Sequence, residues 1–375
     1  MAPKREGKVI ARERKIRVLH LIDSLELGGA QTALFAWLQE HDRSRFDVRL
    51  AAMHGTSNSL FYSRAKALQI PLILLSPRRW APFYLLRLPL RMMFDCYDVV
   101  HCHLFASNWL GKPLARFFGV PVVISEDQCN DVIRTRSAVI RLIDRVANRF
   151  SDRVIAVSKS IRDYLVRFEG VPADRICVIP NGLPEKSIPS PREVSGKVVG
   201  GAGRLVPQKN FERFLRIASA LQKIDAEYEF RIAGTGPLEH SLRRLAAELG
   251  VRIQWLGAQP SLERFFAEID LFLLTSDFEG LPMTVLEALQ YGVPAAAMAV
   301  DGLKEEFTDE IALLDTASSD REAAQQIHAL LSSDQARIAQ IQRGFGLVST
   351  RFSARVQVRA VEEMYLELLA ARRNR

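Results

Sequence analysis

Cysteine is scarce: Cys96, Cys102, Cys129 and Cys177 are the whole complement of a 375-residue chain. None is spaced Cys-x-x-Cys, so neither a zinc site nor a disulfide framework is indicated. Their scatter fits a reducing cytoplasm better than secretion. No apolar run approaches the roughly 18 residues of a membrane span. Met1 to Lys15 is basic and lacks the apolar core of a secretory signal. The expectation is a cytoplasmic protein, soluble or peripheral on the inner face of a membrane. No Asp-x-Asp pair occurs, which removes the usual carboxylate bridge from a divalent ion to a diphosphate. No Gly-Lys pair is followed by Ser or Thr, which removes a Walker-type phosphate loop. Low-complexity segments are absent as well.

What is present is a globular composition, 48% hydrophobic, in a chain long enough for two domains. Lysine and arginine number 51 against 43 aspartates and glutamates, a formal charge of +8. That excess points to an anionic substrate or surface. No motif for nucleic acid accompanies it, and no nucleic-acid partner is expected.

Short apolar runs alternate with helical periodicity along the chain. Ile16 to Ile22 reads as a strand, Gly28-Gly29 as a turn, and Ala30 to Glu40 as a helix with an Ala33, Leu34, Trp37, Leu38 stripe. The alternation continues to a strand at Ile176 to Ile179, ending in Pro180-Asn181-Gly182. Leu183 to Lys197 carries three prolines and little periodicity, and reads as a linker between domains. Alternation restarts near Val198, and a last helix is expected over about Ser353 to Arg372. Strands separated by helices of this length imply an α/β fold of doubly wound parallel sheets. The resulting division is 1–182, the linker 183–197, 198–352 and a final helical segment 353–375.

The most informative stretch runs from Thr275 to Leu289. A buried strand, Leu271 to Leu274, is followed by a turn through Glu279 and Gly280, then by a helix opened by Pro282. Glu287 lies about 7–8 Å along that helix. The first-turn N–H groups, including those of Leu281 and Met283, lack helical partners and favour an anion beside Glu279. Such a unit suits a ligand with hydroxyls at both ends and a diphosphate between. Arg204 and Lys209 follow the first strand of the second half in a glycine turn. There they can clamp a diphosphate and offset the charge that develops as it leaves.

Other chemistries fit less well. A dinucleotide fingerprint at Gly201-x-Gly203 has Val206 at its third position and no acidic residue about 20 residues on. A glycoside hydrolase needs carboxylates on opposite sides of the scissile bond, unlike two on one strand–turn–helix unit. His101 and His103 share a strand face, but two residues do not make a metal site, and no metal ligands are expected. Arg78, Arg79, Arg87 and Arg91 interleave with aromatic and apolar residues, and Arg141, Arg145 and Arg149 recur every four. These segments read either as anionic-membrane contacts or as core helices with a solvated basic face.

Ser276-x-x-Glu279-Gly280-x-Pro282-x-x-x-Leu286-Glu287-Ala288 resembles the signature of glycosyltransferase family 4, retaining nucleotide-sugar enzymes of the GT-B fold. In order, Gly28-Gly29-Ala30, Asp98-Val99-Val100-His101-x-His103, Pro180-Asn181-Gly182, Gly203-Arg204-Leu205 with Lys209, and Gly234-x-Gly236-Pro237 match too. The resemblance covers roughly residues 16 to 370.

It implies two Rossmann-like domains facing across a cleft, with the final helix crossing back to the first domain. The activity implied is a retaining transferase, moving a hexosyl unit from a nucleotide diphosphate sugar, UDP-sugar favoured. The acceptor would be a cell-surface glycan precursor: lipopolysaccharide, exopolysaccharide or lipid-linked oligosaccharide. No cofactor is implied. By position, Arg204 and Lys209 would bind the diphosphate and Glu287 the ribose. Glu279 with the amides of Gly280, Leu281 and Met283 would hold the sugar, while Gly28 and Gly29 approach from the other side. Two departures stand out. Asp127 takes the place of the family's histidine near the sugar, and Asp301-Gly302 replaces a glycine pair. A sugar-nucleotide epimerase and a non-catalytic sugar-nucleotide-binding protein are the alternatives.

Overall fold

The computed structural model describes residues 14–26, 28–76, 83–128, 137–187 and 196–374. Residues 1–13 of the basic N-terminus, Arg78, Arg79, Trp80, Cys129 and residues 188–195 of the linker lie outside the described residues.

Strands β1 (Ile16–Ser24), β2 (Phe46–His54), β3 (Leu72–Leu74), β4 (Val99–His103), β5 (Val122–Asp127), β6 (Arg153–Ala156) and β7 (Ile176–Val178) form one parallel sheet. Its order is β3-β2-β1-β4-β5-β6-β7. Strands β8 (Val198–Ala202), β9 (Glu229–Ala233), β10 (Ile253–Gly257), β11 (Leu271–Leu274), β12 (Ala295–Met298) and β13 (Ala312–Leu314) form a second, in the order β10-β9-β8-β11-β12-β13. Both are doubly wound. The order reverses between β1 and β4 in the first sheet and between β8 and β11 in the second, and crevices for ligands open at such points. Central strands such as Leu271–Leu274 are buried on both faces, which is why they read as unbroken apolar runs.

The final helix, Ala354–Arg373, returns to the first sheet. Val358, Val361, Tyr365 and Leu369 join the core formed with β1, β4 and β5. Its entry is fixed by a bridge between Leu183 and Ser353, with Leu183 N–H donating to the Phe352 carbonyl and Ala354 N–H to the Leu183 carbonyl, both at 2.8 Å.

Sequence reading missed several elements. Helix Tyr84–Phe94 contains Pro89, a residue that argues against a helix interior. Helix Asp320–Leu331 was missed as well, although Ser319 and Glu322 form a capping box at its start. Strand β13 is only three residues long, too short to announce itself.

Helix Ala138–Asn148 is turned inside out. Val139, Leu142, Ile143 and Val146 are exposed, while Asp144, Ala147 and Asn148 are buried. The polar inner face is satisfied. The Trp109 indole N–H donates to Asp144 Oδ1 at 2.7 Å, the buried Lys112 ammonium donates to Asn148 Oδ1 at 2.6 Å, and Asn148 Nδ2 donates to Glu169 Oε2 at 2.7 Å. The reading of this segment as a core helix with a solvated basic face is therefore overturned. Helix Tyr84–Phe94 likewise turns Leu85, Leu86, Leu90, Met93 and Phe94 outward. Helix Lys112–Phe117 packs between the two and exposes Phe117. No described helix is long and apolar enough to cross a membrane.

Candidate functional site

The loops after β8 and β11 flank the reversal point of the second sheet, and hydrogen bonds stitch them together. Asp277 N–H donates to the Gln208 carbonyl at 2.9 Å, Gln208 Nε2 to the Phe278 carbonyl at 3.0 Å, and Asn210 Nδ2 to Asp277 Oδ1 at 2.7 Å. Asn210 adopts a left-handed φ of 43°, turning the chain from the short 3-10 turn Pro207–Lys209 into helix Phe211–Ile224. This stitching puts the Lys209 ammonium 2.5 Å from Glu279 Oε1. Glu279 is buried at 7% exposure, so the pair is a built feature and not a surface contact. Arg204 is exposed at the rim, with no ion pair among the described residues.

Two glycines set the loop positions by close approach. A side-chain carbon on Gly234 would lie 1.9 Å from the Gly203 carbonyl oxygen, at a φ of +141°, so the Gly234 loop is pressed against the turn that carries Arg204. One on Gly302 would lie 2.3 Å from the carbonyl oxygens of both Glu279 and Gly280. Gly302 was not singled out as a site residue. Its signal was the family's glycine pair, which this chain keeps only in its second member.

Helix Met283–Gln290 starts at Pro282 with no side-chain cap. Helix Gly29–Glu40 starts at Gly28, again with no side-chain cap and with no acidic residue in its first turn. These ends meet across the two sheets: a carbon built on Gly29 would lie 3.3 Å from Met283 Cγ. Two uncapped N-termini that approach each other, near the Lys209–Glu279 pair, present partial positive charge of the kind that attracts an anion. The amides of Gly280, Leu281 and Met283 have no main-chain partner among the described residues. The Gln128 carbonyl, just after β5, sits against Gly280, so the first sheet also reaches the Glu279 turn.

Glu287 is half-buried on the same helix. Burial pushes its carboxyl up to about 7, against the opposing pull of Lys186 and Arg64. The Lys186 ammonium stands 3.6 Å from the centre of the Tyr291 ring, and bonds its hydroxyl. Thus the start of the linker packs on the second sheet's helix. If Glu287 accepts from both ribose hydroxyls, one on each oxygen, its ionised form is the better acceptor. Between about pH 7.5 and pH 6 the ionised fraction of a group with pKa about 7 falls roughly eightfold. Affinity for a nucleotide diphosphate sugar, whose phosphates do not titrate there, is expected to weaken by that factor as pH drops. Calorimetric titration measures it, with Glu287→Gln as the control; an equally steep loss in the variant would remove Glu287 from the role.

Asp127 ends β5 and is buried at 4% exposure. Strand alternation turns it away from Glu126, to the sheet face packed by the segment around Lys112. Burial lowers the pKa of the Lys112 ammonium, and Asp127 is the foremost of the carboxylates that oppose this. Asp127 is therefore buried within electrostatic reach of Lys112 inside the first domain, next to the Gln128 carbonyl. A lone lysine in the apolar run Trp109 to Leu114 was the only sequence sign of this partner.

The family described as glycosyl transferases group 1 matches residues 185–345, and that described as Glycosyltransferase Family 4 matches residues 27–186. Among curated proteins, an uncharacterized glycosyltransferase of Methanocaldococcus jannaschii is 28% identical over 58% of this chain. A UDP-Gal:alpha-D-GlcNAc-diphosphoundecaprenol alpha-1,3-galactosyltransferase of Escherichia coli is 28% identical over 56% of it. Each alignment spans 61% of the relative's own length. Among solved structures, the Anabaena protein HepE in complex with UDP and glucose superposes with a TM-score of 0.79 at 19% identity. That match covers 94% of this chain and 100% of that one, a likeness of fold.

Proposed function

Because the chain belongs to the group 1, family 4 glycosyltransferases of GT-B fold, we propose that it moves a hexosyl unit from a nucleotide diphosphate sugar to a glycan precursor, with retention and without a catalytic metal. The observation that carries this reading is the Lys209–Glu279 pair, 2.5 Å apart, beside two facing, uncapped helix N-termini. A diphosphate between those termini would meet Lys209 and Arg204 as its negative charge grows on leaving. Glu279 and the Gly280 to Met283 amides would receive the sugar, and Glu287 the ribose. Residues 198–352 would thus bind the donor, and residues 1–182 the acceptor.

Retention is supported by what the carboxylates are doing. Glu279 is engaged by Lys209, and Asp127 is buried within electrostatic reach of Lys112, so neither is arranged as the free base that an inverting, opposite-face attack needs. The bond from the sugar to phosphate oxygen would break and that to the acceptor oxygen form on one face, the acceptor's proton passing to the departing phosphate. Asp127 enters as part of the wall near the sugar or acceptor. Uridine is the favoured base, supported by the UDP bound in HepE and by the UDP-Gal in the relative's name. A lipid-linked or cell-surface acceptor is supported by that same name and by the apolar face of the first domain. Phe83, Leu86, Phe94, Phe117, Leu142 and Val146 are exposed there beside Arg87, Arg91 and Arg145. We place that face on the anionic inner surface of the cell membrane.

A thermal-shift panel of UDP, GDP, ADP and their sugars tests the donor. At ligand about 100-fold above Kd, a true donor adds about 2.7 kcal/mol. UDP and a UDP-hexose are expected to shift the melt, and the rate of transfer to be unchanged by added Mg²⁺ or Mn²⁺. No shift with any nucleotide would end the reading. A new sugar nucleotide formed from donor alone would identify an epimerase instead.

A further inference from the structure

His20 on β1, His101 and His103 on β4, and Glu126 on β5 converge on the sheet face covered by helices Gly29–Glu40 and Ala354–Arg373. All four are buried, at 1 to 4% exposure. Strand register explains the meeting: His20 pairs with His101, and His103 with Glu126. Each imidazole offers a ring nitrogen such that the three atoms lie within 4.8 Å of one another. The donor reading uses none of these four side chains: Asp127 lies on the other side of β5, and Gln128, whose carbonyl meets Gly280, reaches the group only through its Nε2, which donates to Glu126 Oε1.

A network of hydrogen bonds alone does not satisfy the group. His20 Nδ1 and His103 Nε2 lie 2.9 Å apart and share one proton. Wherever that proton sits, His20 Nε2 is buried with no partner. His101 Nδ1 meets the Tyr365 hydroxyl at 2.7 Å, and His101 Nε2 is left unpartnered, 3.6 Å from Glu126 Oε2. Each orphan nitrogen carries a desolvation penalty. The charge is unbalanced too: the Glu126 carboxylate has no lysine or arginine partner among the described residues.

We propose that His20, His101 and His103 form a buried site for a divalent first-row metal ion, with Glu126 balancing its charge. Imidazole donors suit zinc, copper or nickel, and zinc is the natural probe. Three nitrogens within 4.8 Å need only a small inward movement to reach zinc–nitrogen distances of about 2.0–2.1 Å. His103 Nδ1 lies 3.3 Å from Glu126 Oε2, the carboxylate–histidine arrangement that orients a metal-bound ring. Tyr365 plays the same part for His101. The ion would pin β1 and β4 beneath the returning final helix, a structural role separate from the donor cleft.

Tag-free protein, incubated with zinc and dialysed, is expected to retain one equivalent per chain by elemental analysis and to melt several degrees higher. Cobalt in its place is expected to give the intense visible bands of a tetrahedral nitrogen site. His20→Ala and His103→Gln should each lose the ion while UDP binding is kept. Substoichiometric zinc, or equal uptake in both variants, would overturn the proposal. Should the variants fail to fold, the wild-type cobalt spectrum decides: only the weak bands of an octahedral surface site would overturn it equally. UDP binding separates this test from the donor reading, because it fails only if that reading is wrong.

Discussion

Lys209→Ala is expected to lower kcat/KM for transfer by about 10³-fold, the usual effect of removing one preorganised charge from a developing anion. The physical case rests on position. Lys209 is fixed by the bonds that tie its loop to residues 275–278, so its ammonium does not have to reorganise as charge moves onto the diphosphate. The substitution also leaves Glu279 buried without its cation, at a stability cost of roughly 1–3 kcal/mol. That second effect must be separated from the first. The double variant Lys209→Met/Glu279→Gln removes both charges and should melt near the wild type while remaining inactive. Steady-state kinetics and calorimetry on the three proteins check this. Near-normal turnover in Lys209→Ala would sink the assignment of the site.

Leu142→Glu combined with Val146→Glu is expected to release the protein from phosphatidylglycerol vesicles. Both residues are exposed on the apolar stripe of Ala138–Asn148, so the folded core should not notice them. Burying such a side chain contributes roughly 1.5–3 kcal/mol, and each glutamate adds repulsion from the lipid charge. Two substitutions should therefore weaken partitioning on the order of 100-fold or more. Wild-type binding should fall with salt, because Arg87, Arg91 and Arg145 border the face. Co-sedimentation measures both effects. Unchanged sedimentation of the double variant, or no sedimentation of the wild type at low salt, would retire the membrane role.

Much of the candidate site was legible in the sequence because its parts are local. Glu279, Gly280, Pro282 and Glu287 belong to one strand–turn–helix, and Gly203, Arg204 and Lys209 to one strand–turn. In such units the order of residues dictates geometry within a few ångströms. Helix Tyr84–Phe94 was hidden by Pro89, and of Gly302 only the half-kept glycine pair was visible, because the two carbonyls that press on it are brought there by folding.

The sequence by itself determined the alternation of strands and helices, the parallel sheets that follow from it, and the chemical types gathered after β8 and β11. These depend on periodicity, turn residues and spacing, all short-range properties. Only the tertiary structure decided which way helix Ala138–Asn148 faces, because its polar side is satisfied by Trp109 and Lys112, distant in the chain. It alone brought Lys112 to Asp127, Gly29 to Met283, and His20 to His101 and His103. Those meetings are set by sheet order and by packing between domains, and no spacing along the chain encodes them.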